Sequence, residues 1–221
     1  MKIQAGKRIV FIGDSITSAA RDFALGGEGA GQNAYGDGYV RVVKSMIEAF
    51  YPERRIRVTN RGIGGNTIRH MAARWADDVL ALNPDWLSVM IGINDVWRQF
   101  DSPMQTEIHV YPEEYLTTYR NILQQVRPRL EGLVICSPYV IDDNPNDPMR
   151  RRMDEYREMS ALIAREFDAI YVDAQAPFDA YLNHQHSNHL CADRIHPSST
   201  GHMLIARAWL DALDFTWNAK E

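Results

Sequence analysis

Residues 8–17 read Arg8-Ile9-Val10-Phe11-Ile12-Gly13-Asp14-Ser15-Ile16-Thr17. Residues 8–12 form an apolar, β-rich segment, and the glycine and capping residues behind it mark a strand that turns directly into a helix. Further apolar segments at 56–60, 86–91, 133–137 and 170–173 alternate with helical patterns at 39–50, 67–82, 112–126, 148–167 and 200–213. That alternation predicts five parallel strands joined by helical crossovers, an α/β fold with helices on both faces of the sheet. In the 67–82 segment Ile68, Met71, Ala72, Trp75, Val79 and Leu82 recur at three- and four-residue spacing, which makes one stripe to bury against the sheet.

The 221 residues suffice for one good core, and with 45% hydrophobic and 24% charged residues the composition favours neither disorder nor a membrane class. No repeat, low-complexity tract or Pro/Gly/Ser linker divides the chain, so a single domain over 1–221 is expected. The apolar run 9–12 is too short for a signal sequence or a bilayer span, and no membrane partner is expected. Two cysteines, Cys136 and Cys191, rule out a disulfide framework and agree with a cytoplasmic location. Net charge is −5, and Arg150-Arg151-Arg152 is only a short basic cluster, so nucleic acid is not an expected partner. The Gly-rich loop 26–38 is expected to be mobile. It lacks the Gly-Lys-Ser/Thr of a phosphate loop, and no nucleotide cofactor is expected there.

In an open parallel sheet, ligands bind beyond the carboxyl ends of the strands. Four segments lie there. Gly13-Asp14-Ser15 can expose a hydroxyl on a tight turn, although Asp14 or Ser15 would serve equally as a plain helix cap. The Gly62-Ile63-Gly64-Gly65-Asn66-Thr67 block leaves backbone N–H groups open before a helix, as an oxyanion requires; a simple glycine turn capped by Asn66 or Thr67 also fits. Gly92-Ile93-Asn94-Asp95 offers the uncharged Asn94 amide as a donor, with Asp95 free to cap the next helix. Asp193-Arg194-Ile195-His196-Pro197 places a carboxylate three residues before a histidine, on a loop that Pro197 keeps out of helical geometry. Serine needs such a base, and the base needs such a carboxylate. No Gly-x-Ser-x-Gly elbow occurs.

By these four segments, in this order from Gly13 to His196, the chain resembles the SGNH (GDSL-type) hydrolases. The resemblance implies a three-layer α/β/α sandwich with a five-stranded parallel sheet, the flavodoxin-like SGNH hydrolase fold. It also implies Ser15 as nucleophile, Asp193 and His196 as its partners, and an oxyanion hole made by Ser15, Gly65 and Asn94, with no metal or other cofactor. The run Ile91-Gly92-Ile93-Asn94-Asp95-Val96-Trp97-Arg98-Gln99, together with Asp147-Pro148-Met149-Arg150-Arg151 and His196-Pro197, is similar to the small bacterial acetylxylan esterases of this superfamily. That similarity implies an acylated carbohydrate substrate, Trp97 as a substrate-binding platform, and a homo-oligomer. Ala192 departs from the pattern, which has a bulky aromatic just before the acid, and this widens the expected substrate range toward general GDSL esterases, lysophospholipases or thioesterases.

Rival readings rest on other residues. His184, His186, His189, Cys191, Asp193 and His196 are dense enough for a metal site but lack a recognised zinc spacing and leave Ser15 and Asn94 idle. Cys191 paired with His196 would be an alternative nucleophile. Trp97, Tyr111 and Tyr139 would suit a non-catalytic carbohydrate-binding module. Cys136 falls in an apolar strand and reads as a small core residue.

Overall fold

A computed structural model describes residues 1–29 and 33–217; residues 30–32 of the 26–38 loop lie outside the described residues. The strands are β1 (Arg8–Gly13), β2 (Arg57–Gly62), β3 (Trp86–Met90), β4 (Gly132–Cys136) and β5 (Ile170–Val172). All pair in parallel, in the order β2-β1-β3-β4-β5, with Phe11 facing Asn60 on one side and Ser88 on the other. β3 and β4 are buried along their whole length, and β1 is buried beyond Arg8, because layers of helices cover both faces of the sheet.

The first crossover moves toward one edge and the later ones move toward the other, so right-handed connections put their helices on opposite faces. Helices α2 (Tyr39–Phe50) and α8 (Ser199–Ala212) pack against each other on one side. The other layer holds α3 (Ile68–Ala73), α4 (Ile93–Asp101), α5 (Pro112–Val126) and α6 (Pro148–Glu166). Single-turn α1 (Ser15–Ser18) and short α7 (Ala176–Leu182) complete the set among the described residues.

Each face has an aromatic centre. Phe11 meets Trp209 at 5.2 Å and Tyr39 at 5.9 Å between α2, α8 and the sheet, while Tyr115 meets Tyr156 at 4.9 Å under α5 and α6. The polar Ser88 in the middle strand is satisfied there by the Trp209 indole N–H at 3.0 Å.

Two differences from the sequence expectation bear on function. Residues 67–82 do not form one helix: α3 ends at Arg74, and the chain continues as a wider π turn, Ala76–Leu80, while Ile68, Met71, Trp75 and Val79 keep the expected buried stripe. Asn94 and Asp95 lie within the first turn of α4 rather than in a loop before it, and Asp95 caps a different helix, its Oδ1 accepting the Ile68 N–H of α3 at 2.9 Å. Helix α7 is a further addition to the expectation. No helix of the described residues is long and apolar enough to cross a membrane.

Candidate active site

The chain leaves β1 for one edge and later leaves β3 for the other, so the carboxyl ends of these neighbours open a crevice. Ser15 stands there at the head of α1, half-buried, with Asp14 as cap accepting the Ile16 N–H at 2.9 Å. The turn is held from below. Thr17 Oγ1 meets the Tyr39 hydroxyl at 3.1 Å, and the Asn60 amide donates to the carbonyls of Thr17 and Tyr35 at 2.7 and 2.8 Å. Gly62 makes this approach possible, since a Cβ on it would lie 2.2 Å from the Ser18 nitrogen.

His196 reaches Ser15 from a loop 181 residues further on, with Nε2 2.8 Å from Ser15 Oγ. Its Nδ1 lies 2.6 Å from Asp193 Oδ2, while Asp193 Oδ1 accepts the N–H groups of Ile195 and His196 at 3.0 and 2.8 Å. An N–H at Nδ1 facing the carboxylate leaves the Nε2 lone pair turned to the serine. Burial works to raise the Asp193 carboxyl, but hydrogen bonds from the His196 ring and from these two backbone groups hold it below its ordinary value. The loop is fixed by Arg194, which adopts φ +71° and sets its guanidinium 2.6 Å from both Asp142 and Asp147, and by buried Ile195, whose carbonyl accepts the Tyr139 hydroxyl at 3.1 Å.

Three backbone N–H groups of the serine turn and the glycine block have no protein acceptor among the described residues: those of Ser15, Gly64 and Gly65. Gly64 comes close to the serine, its would-be Cβ 3.8 Å from Ser15 Cβ, and Gly65 follows it in the left-handed region with φ +75°. Asn94 is 2% exposed, with Nδ2 donating to the Asn66 carbonyl at 3.0 Å, so one of its two amide hydrogens remains unused. Trp97, three residues on, turns its ring edgewise to His196 at 5.7 Å and carries the Arg98 guanidinium 4.9 Å from its ring centre.

Two carboxyls are buried beside this machinery. Burial pushes Asp14 up to about 7, against the Ile16 N–H and the nearby His196 and Arg74, and pushes Asp95 up to about 8, against the Ile68 N–H. On α8, His202 Nδ1 accepts the Tyr39 N–H at 3.2 Å, and burial with the neighbouring His196 lowers it to about 4.

Ser15, His196 and Asp193 thus meet at the head of α1, Gly64 adjoins the serine, and Asn94 is tied to the glycine block through the Asn66 carbonyl. The other histidines stand apart: His184 and His189 are exposed, and His186 pairs with Asp143 at 3.2 Å. Among the described residues no three His, Cys, Asp or Glu side chains gather as a metal-binding group. Burial pushes the Cys191 thiol up, away from the thiolate a cysteine nucleophile needs, and Tyr139 is fully buried, which removes it as a sugar platform. Sequence reasoning missed Arg74, which binds the carbonyls of Gly13 and Arg61. It also missed α4, although Ile93, Val96, Trp97 and Phe100 carry helical spacing.

Comparison with known proteins agrees with this geometry. The chain is 47% identical over 218 residues to an acetylxylan esterase of Geobacillus stearothermophilus, covering 98% of each chain. The crystal structure of Axe2, an acetylxylan esterase from the same organism, superposes with a TM-score of 0.97 at 46% identity over 100% of both chains. LAE5, described as an alpha/beta hydrolase enzyme from the metagenome of Lake Arreo, Spain, gives 0.95 at 47% identity, covering 97% of this chain and 98% of its own. Catalytic mutants of Axe2 replace a serine, an aspartate and a histidine by alanine, the last two spaced as Asp193 and His196 are; a further variant replaces a tryptophan just before that aspartate. The GDSL-like Lipase/Acylhydrolase model matches residues 11–204, and the chain belongs to that family.

Proposed function

We propose that this protein is a serine esterase that removes acetyl groups from carbohydrates, with acetylated xylose or short xylo-oligosaccharides as its substrate class. The observation that carries the reading is the relay from Ser15 Oγ through His196 to Asp193, at 2.8 and 2.6 Å. His196 Nε2 takes the Ser15 proton as Oγ attacks the acetyl carbonyl. The oxyanion that forms is met by the N–H groups of Ser15 and Gly65 and by the Asn94 amide. His196 then returns the proton to the departing sugar oxygen, leaving an acetyl ester on Ser15. Water, deprotonated by the same imidazole, attacks that ester and releases acetate. Asp193 holds the ring and stabilises the imidazolium. The equivalent trio of catalytic mutants in Axe2 supports these roles.

Trp97 presents a flat apolar surface beside His196, suited to the apolar face of a pyranose. One observation favours a broader second reading: exposed Ala192 precedes Asp193, where Axe2 has the tryptophan. The smaller residue removes a wall and would admit longer acyl groups or other acceptors. Free, buried Cys136 and Cys191 support a reducing, cytoplasmic setting, and a homo-oligomer rests on the resemblance to the small bacterial acetylxylan esterases.

The test is acetate release from acetylated xylo-oligosaccharides, alongside aryl esters of rising chain length, for wild type and Ser15→Ala. Expected are a preference for acetyl, complete loss in the variant, and a Trp97→Ala defect larger on the sugar than on the aryl acetate. Rates that climb steadily with acyl length would favour the broader esterase, and activity surviving in Ser15→Ala would overturn the serine mechanism.

A further inference from the structure

Arg74 ends α3 at the point where the chain widens into the π turn Ala76–Leu80, and π turns interrupt helices preferentially at functional positions. Its guanidinium is largely enclosed, with the side chain 15% exposed. Nη2 donates to the Gly13 carbonyl at 2.9 Å, Nη1 to the Arg61 carbonyl at 2.7 Å, and Nε to Asn66 Oδ1 at 2.7 Å. Asp78, one turn on, accepts from Nη1 at 2.6 Å and balances the charge.

These acceptors sit at the carboxyl ends of β1 and β2 and in the loop that follows β2. Gly13 lies two residues before Ser15, and Arg61 and Asn66 bracket the glycine block. Asn66 extends the chain of contacts to the first turn of α4, because its own carbonyl holds Asn94 Nδ2 at 3.0 Å. The Gly13 carbonyl also accepts the Ile63 N–H at 3.1 Å, so the same oxygen joins both turns and the guanidinium. The next N–H groups in the block, those of Gly64 and Gly65, have no protein acceptor among the described residues. Three charge-assisted bonds from one planar fork fix relative orientation in a way a flexible ammonium does not.

We infer that Arg74 is a positioning residue of the oxyanion site: it locks the glycine block and, through Asn66, the Asn94 amide against the Ser15 turn, so that their N–H groups converge on one point. This rests on the reading of Ser15 as nucleophile. Arg74 touches no reacting atom; it acts through Gly13, Arg61 and Asn66. A preorganised donor contributes because it needs no reorganisation as charge develops, so loosening the block should tax the transition state more than the bound ester.

The experiment measures kcat and KM on an aryl acetate for Arg74→Lys, Arg74→Gln and Asn66→Ala, each alone and combined with Asn94→Ala, with Ser15→Ala as control. A slow phosphonate titrates competent active sites, and circular dichroism reports the fold. Expected are kcat losses of about ten- to a hundredfold with KM within about threefold at full titration, and double variants that lose less than the product of the single losses. Asn66→Ala removes one surface-loop acceptor and keeps the test open should both Arg74 variants fail to fold. Unchanged kcat, losses matched by a fall in titratable sites, or strictly multiplicative doubles would overturn the role of Arg74 while leaving the esterase reading intact. Hydrolysis by Ser15→Ala would remove the reading itself.

Discussion

Asp193 uses its two oxygens differently: Oδ1 shapes the loop by accepting two backbone N–H groups, and Oδ2 orients the imidazole. In Asp193→Asn the shape survives, but an amide NH2 facing Nδ1 favours the wrong tautomer, and kcat is expected to fall by about 10⁴ with an unchanged circular dichroism spectrum. Alanine at His184, His186 or His189 should leave kcat within about twofold, since none of them touches the relay. Equal losses at all four positions would mean that the loop works as a unit. Asn94→Ala is expected to lower kcat by about 10²–10³ with little change in KM, as its spare hydrogen is used chiefly when the oxyanion forms. Burst kinetics on an aryl acetate would measure this, and an unaltered acylation rate would reduce Asn94 to a structural residue. Ser15 was legible in the sequence because it follows a strand on a glycine turn, and Asp193 and His196 because a carboxylate three residues before a loop histidine is the pairing a serine nucleophile needs. Arg74 was not, because two of its acceptors are backbone carbonyls, which every residue carries.

At the level of elements, β2 and α1 touch through the absence of a side chain. A methyl group at position 62 would lie 2.2 Å from the Ser18 nitrogen and 2.6 Å from the Thr17 carbonyl carbon, and neither backbone atom can swing away. Gly62→Ala should therefore cost about 1–3 kcal/mol and lower the melting temperature by roughly 3–10 °C, with a loss of kcat beyond that of a remote variant of equal stability. Calorimetry beside steady-state kinetics decides, and an unshifted melt would show that the two elements can part freely. Periodicity located α2 and α5 to the residue, because apolar stripes and an N-terminal proline mark their ends. It ran straight through the π turn after α3, since Trp75 and Val79 continue the buried stripe across the break. What bends the backbone there was invisible because the apolar pattern does not change.

For the whole molecule, buried carboxyls set the pH dependence of stability. The native protein keeps a proton on Asp14 up to about pH 7 and on Asp95 up to about pH 8, whereas the unfolded chain loses both near the model-compound value of 3.8. Between those limits the folded state binds more protons, so these two groups make stability fall as pH rises. His202 has the opposite sign: its lowered value makes stability fall as pH drops from 6.5 toward 4. The informative quantity is thus the difference from a variant. Asp14→Asn/Asp95→Asn keeps the acceptors for Ile16 and Ile68, and its melting temperature relative to wild type should climb by several degrees between pH 5 and pH 8.5. A constant difference would mean that both carboxyls ionise freely in the folded state. The parallel sheet and its crossovers were legible as a whole because alternation of element types dictates them, yet the same topology separates Ser15 from His196 by 181 residues. On a ribosome adding about 5–20 residues per second, roughly 10–35 s pass between synthesis of Ser15 and of His196. Throughout that interval the nascent chain carries an ordinary alcohol, because on the proposed reading Ser15 gains its activating base only once residues 193–196 have been added and folded against it.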